Sequence, residues 1–207
     1  LIRFVRFVPR FDSMQNFNLI VFTALNAGST PHPAVVHLAV FCARWLVYVV
    51  PLLLALTWAL GAQHATRRQA IEAALAACAA LALAQVISTF WYSPRPFVAG
   101  VGAQLIPHAP DGSFPSNHMT FVWSITAGLL LARTTRAAGA ALIGVALAVA
   151  WGRIYAGVHW PLDMVGGVLV GTAGALAVHL YGRGLTALCD RIGEALHARL
   201  FGRLRAR

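Results

Sequence analysis

Apolar residues in this chain run in long blocks, and short polar links separate the blocks. Five blocks approach or exceed the length needed to cross a bilayer, about 20 residues. They are Ala34 to Leu60, about Ala70 to Tyr92, about Asn117 to Ala132, Ala137 to Tyr155, and Leu162 to Tyr181. A shorter block, Asn16 to Ala27, stops at Gly28-Ser29-Thr30-Pro31 and predicts an interfacial or re-entrant helix. The longest polar link is Ser93 to Phe114, rich in Pro, Gly, His and Asp. After Tyr181 the chain carries Arg183, Arg191, Arg199, Arg203, Arg205 and Arg207 with Leu and Ile at helical spacing. That is the pattern of an amphipathic helix lying on an anionic membrane face. The expected fold is an all-α integral membrane protein. It is a bundle of five transmembrane helices, or six if 17–28 makes an incomplete span, with an interfacial N-terminal helix and an amphipathic C-terminal tail.

Composition narrows the class. Of 207 residues, 59% are hydrophobic and only 11% charged, against roughly 25% charged in soluble domains. One membrane domain over 14–181 fills the chain and leaves no room for a second globular one. Residues 1–13, with Arg3, Arg6 and Arg10, are either a basic surface segment or a stretch upstream of a start at Met14. Residues 182–207 form the basic tail. The net charge of +10 comes from Arg alone, since the chain has no Lys. These arginines cluster between and after apolar blocks, which points to membrane topology and not to nucleic acid. The links 61–69 and 133–136 and the tail then lie in the cytoplasm, and 93–116 and 156–161 on the opposite, external face. Cys42, Cys78 and Cys189 have no paired spacing, so neither a disulfide framework nor a zinc site is expected. Gly167 and Gly171 form a G-x-x-x-G that lets another backbone approach, more plausibly within the bundle than between copies.

Ionisable and polar groups collect at one end of the bundle: Arg95-Pro96, Ser116-Asn117-His118, Arg153, His159 and Asp163. Such groups beside a bilayer are costly and usually functional. Pro161 suits the first turn of a helix, which puts Asp163 in that turn, where the helix dipole favours an anion. His159 precedes Asp163 by four residues, so a carboxylate–imidazole hydrogen bond is within reach. Such a bond fixes the tautomer and leaves the other ring nitrogen free to act as a nucleophile. Ser116 stands at an N-cap, and the N–H groups behind it make an anion site. His118, in the same turn, is placed to protonate a leaving oxygen. Arg95 and Arg153 are suited to clamp phosphoryl oxygens. The third block is short: from Asn117 to Ala132 it rises only about 24 Å. Its anion-binding end is therefore recessed toward an arriving lipid headgroup.

These residues resemble the type-2 phosphatidic-acid phosphatase superfamily, whose pattern is K-x6-R-P, P-S-G-H and S-R-x5-H-x3-D. Here the pieces read Arg95-Pro96, Pro115-Ser116-Asn117-His118 and Gly152-Arg153-x5-His159-x3-Asp163. The resemblance implies a metal-independent phosphatase without a cofactor. His159 would form a phosphohistidine oriented by Asp163, His118 would be the acid, and Arg95, Ser116, Asn117 and Arg153 would hold phosphate. Further stretches are similar to bacterial undecaprenyl-diphosphate phosphatases of the bacitracin-resistance type. They are Phe17-Asn18-Leu19 through Leu25-Asn26-Ala27, Ser113 to His118, and Gly157-Val158-His159-Trp160-Pro161-Leu162-Asp163. That similarity implies a polyprenyl diphosphate substrate, embedding among membrane lipids, and an active site on the external face of the bacterial cytoplasmic membrane.

The departures are informative. The motif lysine falls at Ser88, Asn117 replaces Gly, and Gly152 replaces Ser. Arg44, about ten residues into the first block, is a candidate to supply the missing charge; otherwise it is satisfied by backbone carbonyls or Asp111. The same chemistry also fits phosphatidylglycerophosphate, phosphatidic acid or lipid A 1-phosphate, or a lipid phosphotransferase. A non-catalytic transporter or scaffold would instead need polar groups at mid-bilayer depth.

Overall fold

A computed structural model of the chain describes residues 13–205. Among the described residues there are eight α-helices: α1 (Ser13–Leu25), α2 (Pro33–Arg44), α3 (Val49–Leu60), α4 (His64–Phe90), α5 (Asn117–Leu131), α6 (Arg136–Tyr155), α7 (Pro161–Tyr181) and α8 (Arg183–Arg205). The expectation for 1–13 lies outside the described residues, except that Ser13 opens α1.

Helices α4, α6 and α7 are long and apolar enough to cross a membrane, and α2 with α3 makes a fourth if that bent pair is one span. The first apolar block is thus not one straight helix. It bends by 40° between Arg44 and Leu46, and a single 3-10 turn, Leu46–Tyr48, precedes α3. Pro51 explains this. It has no N–H to give and its ring excludes the carbonyl four residues earlier, so it is tolerated only in the first turn of a helix that starts just before it. Helix α5, with 15 residues, is too short to count among the candidate spans, so the described residues hold three or four where the apolar blocks lead to an expectation of five. It sits centrally, packed against α4, α6 and α7.

The core forms on α5, where Met119, Val122, Ile125 and Leu129 recur at helical spacing and are buried. Alanines on one face of α4, including Ala73, Ala77, Ala80 and Ala84, bring that helix close. A Cβ at Gly167 would lie 2.7 Å from Met119 Cβ, and one at Gly171 would lie 2.9 Å from Ser124 N. The G-x-x-x-G therefore packs α7 onto α5 within the chain. Facing outward, Leu83, Val86, Leu147, Leu169, Leu176 and Leu180 are exposed. An apolar belt of that kind is satisfied by hydrocarbon and not by water.

Helix α8 turns its polar side inward. Arg67 forks onto both carboxylate oxygens of Glu194 at 2.6 and 2.7 Å, and His64 meets Asp190 at 3.0 Å. Its opposite face presents Leu185, Leu188, Ile192 and Leu196, all exposed, as an interfacial helix should. Helix α1 packs against α6 and α7. It buries Phe22 completely against Trp160, with ring centroids 4.9 Å apart, while Phe17 and Ile20 stay exposed.

Candidate active site

One end of the bundle gathers the C-terminal ends of α4 and α6, the N-terminal ends of α5 and α7, and the loop 91–116. A cleft of about 310 Å³ opens there. Arg95, His108, Asp111, Asn117, His118, Arg153 and His159 line it, together with Gln85, Ser88 and Thr89 of α4.

His159 is the most enclosed of these groups, 2% exposed. It lies in the short turn between α6 and α7. Its Nδ1 is 3.1 Å from Asp163 Oδ2, one helical turn further on. The same carboxylate oxygen accepts the Trp160 N–H at 2.7 Å and the Ser113 hydroxyl. With Asp163 as an acceptor, Nδ1 carries the ring proton and Nε2 keeps its lone pair. Arg95 Nη1 lies 3.1 Å from that Nε2. Burial, with Arg153 and Arg95 nearby, pushes the His159 pKa well below the ordinary histidine value, so the ring is neutral.

Arg95 is itself 4% exposed and heavily bonded. It donates to Asp111 Oδ1 at 2.8 Å, to Val158 O at 2.8 Å and to Gly112 O at 3.1 Å. Asp111 remains a carboxylate: burial works to raise its pKa, but the hydrogen bond and charge of Arg95 outweigh that and lower it. Asp111 therefore pairs with Arg95, not with Arg44. Arg153, 3% exposed, makes no salt bridge among the described residues. Its Nη1 donates to Ala43 O at 3.3 Å and lies 3.4 Å from His118 Nε2, while its Nε is buried without a hydrogen bond. A buried guanidinium with a spare donor, beside a second guanidinium and a helix N-terminus, has the chemistry to hold an anion.

Two expected phosphate ligands lie elsewhere. Ser116 is completely buried and caps α5, accepting the Met119 N–H at 3.4 Å, so it shapes the cleft from behind. Arg44 is exposed at the end of α2 and does not line the cleft. The reason is rotation about the helix. Ala43 faces inward against Arg153, and the next side chain points about 100° away. Ser88 does line the cleft, but its hydroxyl donates to Gln85 O within its own helix, and it brings no charge.

His108, Asp111 and Ser113 were not singled out as site residues by the sequence. His108 stands edge-on to His159, with ring centroids 6.2 Å apart and planes at 76°. The available signal is that His108, Asp111 and Arg95 are the acidic, basic and imidazole side chains of the loop 91–116.

Residues 69–186 match the PAP2 superfamily. The chain belongs to that superfamily. It is 35% identical over 187 residues to YbjG of Escherichia coli, covering 90% of each chain. It is 31% identical over 153 residues to the undecaprenyl-diphosphatase BcrC of Bacillus subtilis, covering 74% of this chain and 78% of that one. Among solved structures, LpxE of Aquifex aeolicus superposes with a TM-score of 0.64 at 26% identity, over 84% of this chain and 99% of LpxE. The protein is thus a PAP2 phosphatase homologous to undecaprenyl-diphosphatases.

A second groove, of about 470 Å³ and mostly apolar, lies on the other side of Asp163. Its walls include Ile87, Trp91, Ala99, Phe114, Trp160 and Leu162.

Proposed function

We propose that this PAP2 phosphatase hydrolyses undecaprenyl diphosphate to undecaprenyl phosphate and inorganic phosphate, through a phosphohistidine on His159. The observation that carries the reading is the pairing of a neutral, Asp163-oriented imidazole with two buried guanidiniums at one cleft.

The terminal phosphoryl group sits against Arg95, Arg153 and the N-terminus of α5 at Asn117. His159 Nε2 attacks its phosphorus, forming an N–P bond as the bridging P–O bond breaks. The electron pair of that bond leaves on the lipid phosphate, and His118, protonated from solvent as the anionic diphosphate binds, supplies that proton to the leaving oxygen. Asp163 holds the ring as it becomes cationic. A water, deprotonated by His118, then cleaves the N–P bond and frees phosphate and His159. The two guanidiniums supply the charge stabilisation that a metal ion would otherwise provide, so the reaction is metal-independent.

The apolar groove beside Asp163 and the outward belt of leucines suit a long polyprenyl chain held in the bilayer. Arg67, Arg68, Arg133 and Arg136 lie at the opposite end of the bundle from the cleft. That arrangement supports an external active site in the bacterial cytoplasmic membrane, where the product re-enters the cell-wall carrier cycle.

The test is phosphate release in detergent from undecaprenyl diphosphate, phosphatidylglycerophosphate, phosphatidic acid and lipid A 1-phosphate, with chelator and with His159→Ala. The expected result is turnover greatest on the diphosphate, unaffected by chelator and lost in the variant. Turnover of phosphatidylglycerophosphate with none of the diphosphate would replace the substrate.

A further inference from the structure

Cleavage of a diphosphate differs from cleavage of a monoester in what departs. The monoester releases an alcohol, whereas the diphosphate releases a second phosphate that stays anionic and attached to the lipid. A site for the diphosphate therefore needs positive charge for two phosphates. Arg95 and Arg153 serve the group being transferred, Ser88 brings no charge, and Arg44 does not line the cleft. The remaining ionisable side chain in the lining, apart from His159, His118 and the anionic Asp111, is His108.

We propose that His108 sets the preference for a diphosphate headgroup. Its imidazolium holds the phosphate that leaves with the lipid, in place of the lysine missing at Ser88. The proposal deepens the hydrolysis reading and rests on it. Three observations carry it. The ring stands edge-on to His159, so a phosphorus under attack there has its substituents beside His108. Its side chain is 21% exposed, open to the cleft but shielded from bulk solvent. Its Nδ1 is held at 3.1 Å from Ala109 O and 3.6 Å from Asp111 Oδ1, which leaves Nε2 for a ligand.

The groups facing His108 determine when it is charged. They are Arg95 and Asp111 from the same loop, His118 from α5, Arg153 from α6 and His159 from the turn before α7; the facing residues of α4 (Gln85, Ser88, Thr89) are uncharged. Burial lowers its pKa in the free protein; the hydrogen bond to Ala109 O opposes that in part, Arg95 and Arg153 lower it further, and Asp111 raises it least. A diphosphate brings negative charge that reverses the balance. The ring then takes up one proton from solvent as substrate binds, and affinity falls as pH rises.

The experiment compares wild type, His108→Gln and His108→Lys on farnesyl diphosphate and short-chain phosphatidic acid in detergent, between about pH 6 and 8. In wild type the KM for the diphosphate should rise about tenfold across that range. In His108→Gln the ratio of kcat/KM for diphosphate to that for phosphatidic acid should fall about tenfold at the acidic end. His108→Lys should restore the ratio and make it independent of pH. A ratio unchanged in His108→Gln, or one that lysine does not restore, overturns the role of His108. Wild type that cleaves phosphatidic acid but not the diphosphate would instead overturn the substrate reading itself.

Discussion

At Asp163 a single carboxylate oxygen receives the Ser113 hydroxyl, the Trp160 N–H and His159 Nδ1. One of these donors comes from the loop 91–116, one from the turn before α7, and one is the proposed nucleophile. The carboxylate thus fixes the ring and ties two segments of chain around it. Asp163→Asn keeps the size but offers no charge to the ring, and kcat should fall about 10³-fold with KM little changed. A loss confined to KM, measured by steady-state phosphate release, would remove Asp163 from the role of orienting the nucleophile. The pH dependence has a definite sign. In the proposed mechanism His159 attacks when neutral, and its pKa is lowered, so the neutral form persists as pH falls through the ordinary histidine range. The acid limb of kcat/KM, which reports the free enzyme, should lie below about pH 6.5. Arg153→Gln should move that limb upward, because it removes a charge that disfavours the imidazolium. His159, Asp163, Arg95, Arg153 and His118 were legible in the sequence, because four-residue spacing and span ends fix their neighbourhood. His108 and Ser113 were not, because an irregular loop brings them in by contacts about 50 residues away in sequence.

Helix α1 acts as a brace for the element that carries the nucleophile. Asn26 donates to Ala103 O at 3.0 Å and to Tyr155 O at 3.1 Å, and accepts the Ala103 N–H at 2.7 Å. Asn18 accepts the Leu162 N–H at 3.0 Å, one of the free donors at the start of α7. The turn between α6 and α7 is therefore held from outside at both ends. Gly157 sits in that turn at φ +74°, and a Cβ there would meet Ala103 O at 2.0 Å. Asn26→Ala should lower stability by about 2 kcal/mol, read as a lower melting temperature in detergent. Gly157→Ala should lower kcat more than it lowers stability, since it displaces His159. If Asn26→Ala left the melting temperature unchanged, α1 would have no bracing function. The sequence pattern gave α1 only as a helix too short to cross. Its function depends on two asparagines whose partners lie far along the chain. The bend in the first apolar block had a local signal in Pro51, but hydropathy alone runs straight through it.

At the scale of the whole molecule, charge and chemistry occupy opposite ends. The cleft lies at the end where α4 and α6 finish, and the arginine-rich links and α8 lie at the other. This polarity was readable from arginine positions alone. The placement of α8 against α4 through Arg67 and Glu194 was not, since ion pairs between distant helices leave no periodic trace. The polarity predicts labelling in intact cells. In a background with Cys42, Cys78 and Cys189 replaced, a cysteine at Ala109 should react with a membrane-impermeant thiol reagent, and one at Thr134 should not. The reverse pattern would place the active site in the cytoplasm.

The central claim is covalent catalysis by His159. Rapid quenching into alkali after mixing with diphosphate labelled in its terminal phosphate, where phosphohistidine survives, tests it most directly. Label should appear on the protein within one turnover, map to the peptide containing His159, and be absent from His159→Ala. A fully active wild type that carries no label, or a His159→Ala variant that still turns over substrate, would contradict it.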